Sequence, residues 1–325
     1  MQLLRRKFLA LAAGAVALPI ASRTAGAQTY PSRPVRLIVP VAPGGASDIT
    51  ARLMGQWLSE RLDQPFIIEN RPGAGNNVGT EAVVRAPADG YTLLLSGITN
   101  TTNATIYDKL NFNFIRDIAP VAGVIRGPYA LVVNPSVPAK SVPEFIAYAK
   151  DNSRKINKAA TGTGTGDHVA GELFRMMAGI DMVHVPYRGG GPALTDLVAG
   201  QVQVMFSGTV SSIQYIRAGR LRALAVTGAT RSDELPDIPP VGEFVPGYEA
   251  SQWFGIGAPK YTPTQIVDKL NKEINTGLAD PKIKARLADL GGTSLVGSPA
   301  DFGKLIADET DKWAKVIRTS NIKPE

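Results

Sequence analysis

Two short stretches carry residue types suited to holding a negative group. Gly44, Gly45, Ala46, Ser47 and Asp48 follow the apolar run Leu37, Ile38, Val39 and lead directly into an amphipathic segment. Glycines let a ligand approach the main chain closely, and the unsatisfied N–H groups and positive dipole end of a helix start favour an anion there. Thr161, Gly162, Thr163, Gly164, Thr165, Gly166 and Asp167 repeat the arrangement with added hydroxyls, ahead of a helix predicted to bury Val169, Leu173 and Met177. Together the two turns offer donors for a carboxylate.

Other residue types with chemical potential lack the partners that their chemistry needs. Ser47 sits at a strand-to-helix turn, yet no G-x-S-x-G elbow is present and no base or oxyanion hole is visible, which disfavours a secreted esterase. Gly73, Gly75 and Gly79 follow Pro72 with a spacing unlike a dinucleotide fingerprint and read as a structural loop. A metal reading of His168 and His184 would need carboxylate partners that no motif supplies, so both read as structural, and neither a metal nor a cofactor is expected. Asp48 stands equally well as a ligand contact or as a partner of the helix dipole. Tyr187 either borders a cleft or is a core aromatic.

The elements that must position these turns alternate between strand and helix. Residues 35–41, 66–68 and 91–95 read as strands, separated by helices with Ile49, Leu53, Trp57 and Leu62 on one face and over residues 80–85. The same grammar resumes after residues 129–133, with strands ending at Thr161 and at 182–187, 202–206 and 221–226, and helices between them. Such alternation predicts two mainly parallel sheets flanked by helices, with ligand sites beyond the carboxyl ends of the strands. The C-terminal part reads as helical. Thr262, Pro263, Thr264 and Gln265 look like a capping box, and Asp280-Pro281 and Ser298-Pro299 open two more helices.

Arg5, Arg6 and Lys7, an apolar run over 8–18 and the small residues Ala25, Gly26, Ala27 form the three parts of a secretory leader over residues 1–27, compatible with the twin-arginine route. The chain carries +7 overall. Four of those charges and no acid lie in the leader, so +3 remains, without a basic stripe that would serve nucleic acid. An exported chain without cysteine has neither disulfides nor thiolate metal sites, and packed cores must stabilise it. The length suggests two domains, assigned as 28–126 with 252–325 and as 127–251. The chain crosses twice between them.

Five segments carry a family likeness: VPVAPGGASD over 39–48, ENRPGAGNNVG over 69–79, DGYTLL over 89–94, HVPYRGG over 184–190 and LRALAVT over 221–227. In this order they resemble the Bug family of periplasmic solute receptors that serve tripartite tricarboxylate transporters. The resemblance implies a two-lobed, type II Venus-flytrap binding protein of α/β class that acts as a monomer and not as an enzyme. It would close on a small carboxylate and deliver it to integral-membrane permease subunits, or alternatively present it to a membrane sensor kinase. Carried onto this sequence, the ligand residues would be Gly44, Gly45, Ala46, Asp48, Asn76, Ser96, Thr99 and Asn100 in the first lobe. Thr161, Gly162, Thr163, Gly164, Thr165, Gly166, Asp167, Tyr187 and Ser207 would face them from the second. Asn76 stands where relatives usually have glycine, and asparagine is the residue that best tolerates a left-handed backbone there. Thr163, Thr165 and Asp167 stand where serine is more usual, changes able to alter which ligand fits, above all if Asp167 faces the cleft.

Overall fold

The computed structural model describes residues 30–324, so the expected leader lies outside the described residues. From Arg33 onward the chain begins with β1 (Val35–Val39), α1 (Ala46–Leu62), β2 (Phe66–Asn70), α2 (Asn77–Val84), β3 (Thr92–Gly97) and α3 (Ile98–Ile106). A short α4 (Phe114–Asp117) precedes β4 (Ile118–Val133), followed by α5 (Val142–Asp151), β5 (Asn157–Ala160), α6 (Gly166–Ala178), β6 (Val183–Pro186) and α7 (Gly190–Ala199). Next come β7 (Val204–Gly208), α8 (Thr209–Arg217), β8 (Arg222–Val226) and β9 (Ser251–Pro259). The chain closes with α9 (Thr264–Ala279), α10 (Pro281–Asp289), β10 (Thr293–Ser294) and α11 (Pro299–Thr319).

Strand pairing gives the two lobes. In one, β2, β1 and β3 run parallel, β9 pairs antiparallel to β3, and β4 pairs antiparallel to β9 through its first eleven residues, Ile118 to Pro128. In the other, β6, β5 and β7 run parallel, while β7 and β8 pair antiparallel to the remaining end of β4, Tyr129 to Val133. One strand therefore serves both sheets. The sequence reading had only its last five residues, because Pro120, Gly123, Gly127 and Pro128 look like breakers. The ladder tolerates them through register shifts between Pro120 and Ala122 and between Gly123 and Ile125, where a bulge accommodates residues that regular pairing would reject.

Helix faces depart from the expected stripes in two places. In α1 the buried residues are Ala51, Met54, Gly55 and Leu58, while Ile49 is exposed, because Gly55 lies against Ile68 and fixes the rotation of the helix on β2. In α6, Val169, Ala170 and Phe174 face the core and Met177 is exposed, since Phe174 is held among Phe145, Phe206 and Tyr248. The expected capping box is also corrected. Pro263 is the N-cap of α9, and the Thr262 hydroxyl donates to the Pro259 carbonyl at 2.8 Å instead of capping. The starts at Asp280 and Ser298 do use their side chains as caps. Asn76 adopts φ +75° at the start of α2, the left-handed conformation that its residue type anticipated.

The second lobe buries a charged cluster under α6. Lys158 on β5 is fully buried and donates to Glu172 at 2.7 Å and to the His168 carbonyl at 3.2 Å, while Arg175 meets Glu172 at 2.7 Å. Burial lowers the Lys158 pKa. For Glu172, burial acts upward, but Lys158 and Arg175 outweigh it and hold the carboxyl at about 2. His168 and His184 stack with their ring centroids 3.7 Å apart. Burial, aided by the Lys158 charge, pushes His168 down to about 2, so both its structural role and its neutral state follow from packing.

Candidate functional site

Six strands, β1 to β3 in one lobe and β5 to β7 in the other, each end in a turn that runs into a helix, and all six turns line a single cleft of about 780 Å³. The first lobe contributes Pro40 and the Gly45, Ala46 and Ser47 start of α1, the Gly75 and Asn76 start of α2, and the Ser96 to Asn100 start of α3. The second contributes Thr161, Gly162, Thr163, Thr165, Gly166 and Asp167 at α6, Gly189 and Gly190 at α7, and Ser207, Gly208 and Ser211 at α8. Tyr129 of β4, together with Gln252 and Phe254 of β9, lies where the lobes join.

The donors of this cleft are mainly main-chain groups. The first internal bond of α1 runs from the Ile49 N–H to the Gly45 carbonyl at 3.0 Å, so the N–H groups of Ala46, Ser47 and Asp48 have no partner within the helix. In α6 the first such bond joins the Val169 N–H to the Thr165 carbonyl at 3.0 Å, which leaves Gly166, Asp167 and His168 in the same position. Each helix start is equivalent to roughly half a positive charge. No lysine, arginine or histidine lines the cleft among the described residues, so these six dipole ends are its source of positive potential.

The loop before α6 is held by its own side chains. Asp167 is buried and accepts from the Thr161 N–H at 2.7 Å and the Thr161 hydroxyl at 2.8 Å, while the Gly164 N–H donates to His168 Nδ1 at 3.1 Å. Burial raises the Asp167 pKa, and the donations from Thr165 and Thr161 and the Lys158 charge oppose that rise. Across the cleft the Thr102 hydroxyl donates to the Gly164 carbonyl at 2.8 Å, joining α3 to this loop. Thr102→Val keeps the shape and removes that bond, so a loss of about 1 kcal/mol in urea unfolding is expected.

Thirteen of the residues singled out from the sequence line the cleft: Gly45, Ala46, Asn76, Ser96, Thr99, Asn100, Thr161, Gly162, Thr163, Thr165, Gly166, Asp167 and Ser207. Four are placed elsewhere. The Gly44 N–H donates to Asp48 Oδ2 at 2.9 Å, and Asp48 is buried between Arg52, at 2.9 Å, and Asn70, also at 2.9 Å. Burial acts to raise Asp48, but these partners together hold it below the usual carboxylate range, as a tie between turn and helix. Gly164 sits beneath the loop against Ile106, and the Tyr187 hydroxyl donates to Asp196 at 2.8 Å on the outer side of α7. Sequence reasoning missed Gln252 and Phe254. They alternate on β9 with the buried Ser251 and Trp253, a signal readable only once the strand register is known.

Comparison with known proteins adds to this geometry. The profile of a family described as tripartite tricarboxylate transporter family receptor matches residues 50–322. The protein BugT of Bordetella pertussis is 35% identical over 316 residues, covering 96% of this chain and 95% of that one. The structure of Rpa4515 from R. palustris with adipate superposes with a TM-score of 0.83 at 36% identity, covering 91% of this chain and all of its own. MatC from Rhodopseudomonas palustris with bound malate gives 0.78 at 32% identity, covering 89% of this chain and all of its own.

Proposed function

Since the chain belongs to the tripartite tricarboxylate transporter receptor family and is a Bug-type, two-lobed solute-binding protein, we propose that it captures a small carboxylate in its cleft and delivers it to the permease subunits of a tripartite transporter. The carrying observation is the convergence of six helix starts on one cleft that, among the described residues, has no basic side chain in its walls. Main-chain N–H groups and the Thr99 hydroxyl are suited to surround a carboxylate, and donors fixed in place hold an anion strongly. The relatives solved with adipate and malate bind molecules of this class.

In this reading residues 28–126 with 252–325 form one lobe and 127–251 the other, and the protein is exported to the periplasm by its leader and works there as a monomer. Closing is favoured only by contacts that improve in the closed state, which the Thr161 to Asp167 loop is placed to make against α3. Mass spectrometry of metabolites released on denaturing the purified protein is expected to yield a carboxylate. That compound, added back at about a hundred times its dissociation constant, should stabilise the refolded protein by about 2.7 kcal/mol in a thermal-shift measurement. A released compound without a carboxyl group, or no stabilisation by any carboxylate, overturns the proposal.

A further inference from the structure

Among the described residues the cleft wall contains one acidic side chain and no basic one. Asp167 is only 5% exposed, lines the cleft, and takes part in no ion pair within 4 Å among the described residues, its close partners being hydroxyl and main-chain donors of its own loop. Lys158, the nearest buried cation to influence it, is already committed to Glu172 at 2.7 Å and to the His168 carbonyl at 3.2 Å. Buried charges are ordinarily paired, and burial alone favours the neutral acid, so the ionised form of Asp167 needs a counter-ion that the chain does not supply and a bound ammonium would. A carboxylate also accepts about four hydrogen bonds, more than the donations of Thr161 and Thr165 supply. A ligand with negative groups at both ends would place one of them against Asp167, and like charges in a desolvated site repel.

We infer that Asp167 selects the ligand by charge: the receptor prefers a carboxylate that also bears an ammonium group, with the carboxylate on the helix starts of the first lobe and the ammonium facing Asp167. The inference rests on the receptor reading above and narrows it to amino-carboxylates. Selection then works in both directions, by an attractive contact to the amino ligand and a repulsive one to the dicarboxylate. The first-lobe helix starts hold the carboxylate common to both kinds, and at the other end the Asp167 side chain must outweigh the positive start of α6 to favour an ammonium over a second carboxylate.

Calorimetric titration with length-matched pairs tests this: γ-aminobutyrate against glutarate, δ-aminovalerate against adipate, and ε-aminocaproate against pimelate. For the best-fitting pair the wild-type protein is expected to favour the amino member by at least about tenfold, equivalent to 1.4 kcal/mol. Asp167→Asn, which keeps an acceptor for Thr161, should bring the two members within about threefold by weakening the amino ligand and tightening the dicarboxylate. Asp167→Glu should retain the preference. Equal or tighter binding of the dicarboxylate by the wild type overturns the inference and leaves the receptor reading standing, as does an unchanged ratio in folded Asp167→Asn. Because the wild-type ratio needs no variant, a misfolded variant does not block the test. Binding of neither series overturns the inference, and if simple monocarboxylates also fail, the receptor reading falls with it.

Discussion

Gly45→Val is expected to abolish ligand binding while leaving the protein folded. Gly45 has φ −83° and ψ 172°, a conformation open to any residue, and a Cβ built on it meets nothing within 4 Å. The new side chain would therefore enter open space, and that space is the cleft. It would cover the approach to the α1 N–H groups of Ala46 and Ser47, the donors that no other part of the chain uses within the helix. A loss of at least about a hundredfold in affinity, about 2.7 kcal/mol, is expected by calorimetry, with the melting temperature of the ligand-free protein unchanged. Gly44→Val is the control with the opposite signature. Gly44 has φ +94° and its N–H is bonded to Asp48, so strain of roughly 1–2 kcal/mol should appear in stability before it appears in binding. Retained affinity in a folded Gly45→Val variant would remove this turn from the site.

Glu172→Gln should be the most destabilising conservative change in the second lobe. It leaves the Lys158 ammonium fully buried without its carboxylate, and breaking a buried pair by removing one partner costs about 3–5 kcal/mol. Replacing both by Met should cost much less, because no charge is then stranded and the volumes are similar. Chemical denaturation of the two variants decides the matter. An equal loss in both would mean that packing, not charge, dominates. The pH dependence carries the same signature. The Glu172 carboxyl sits at about 2 in the folded protein against an ordinary 4.5, so its contribution is complete above pH 4.5 and disappears as pH falls through 2. In the Lys158→Met, Glu172→Met double variant that part of the acid unfolding limb should flatten.

Main-chain chemistry was legible in the sequence where a residue type dictates backbone shape. The Gly-rich turns at 44–46 and 161–166, the left-handed Asn76 and the proline-started helices after Asp280 and Ser298 were all readable in this way. What depends on distant packing was not. The rotation of α1 is set by Gly55 against Ile68 on a strand that follows it, so Ile49 ends in solvent although its spacing fits an apolar face. Lys158 gives no sign of being buried, since its partner Glu172 lies 14 residues on and meets it only when α6 packs on β5. Asp48 and Asp167 both stand in the first turn of their helices, and sequence could not separate them. Arg52 and Asn70 occupy the first, while no ion-pair partner among the described residues reaches the second, and it alone enters the cleft wall.

The six helix starts around the cleft have one further consequence, for how such a protein can diverge. Attraction for anions resides in peptide groups, which no codon change other than one to proline removes, whereas the side chains between them are free to drift. A lineage built on this framework can exchange one metabolite for another through single replacements at positions such as 167 without first losing, and then having to reinvent, its grip on negative charge.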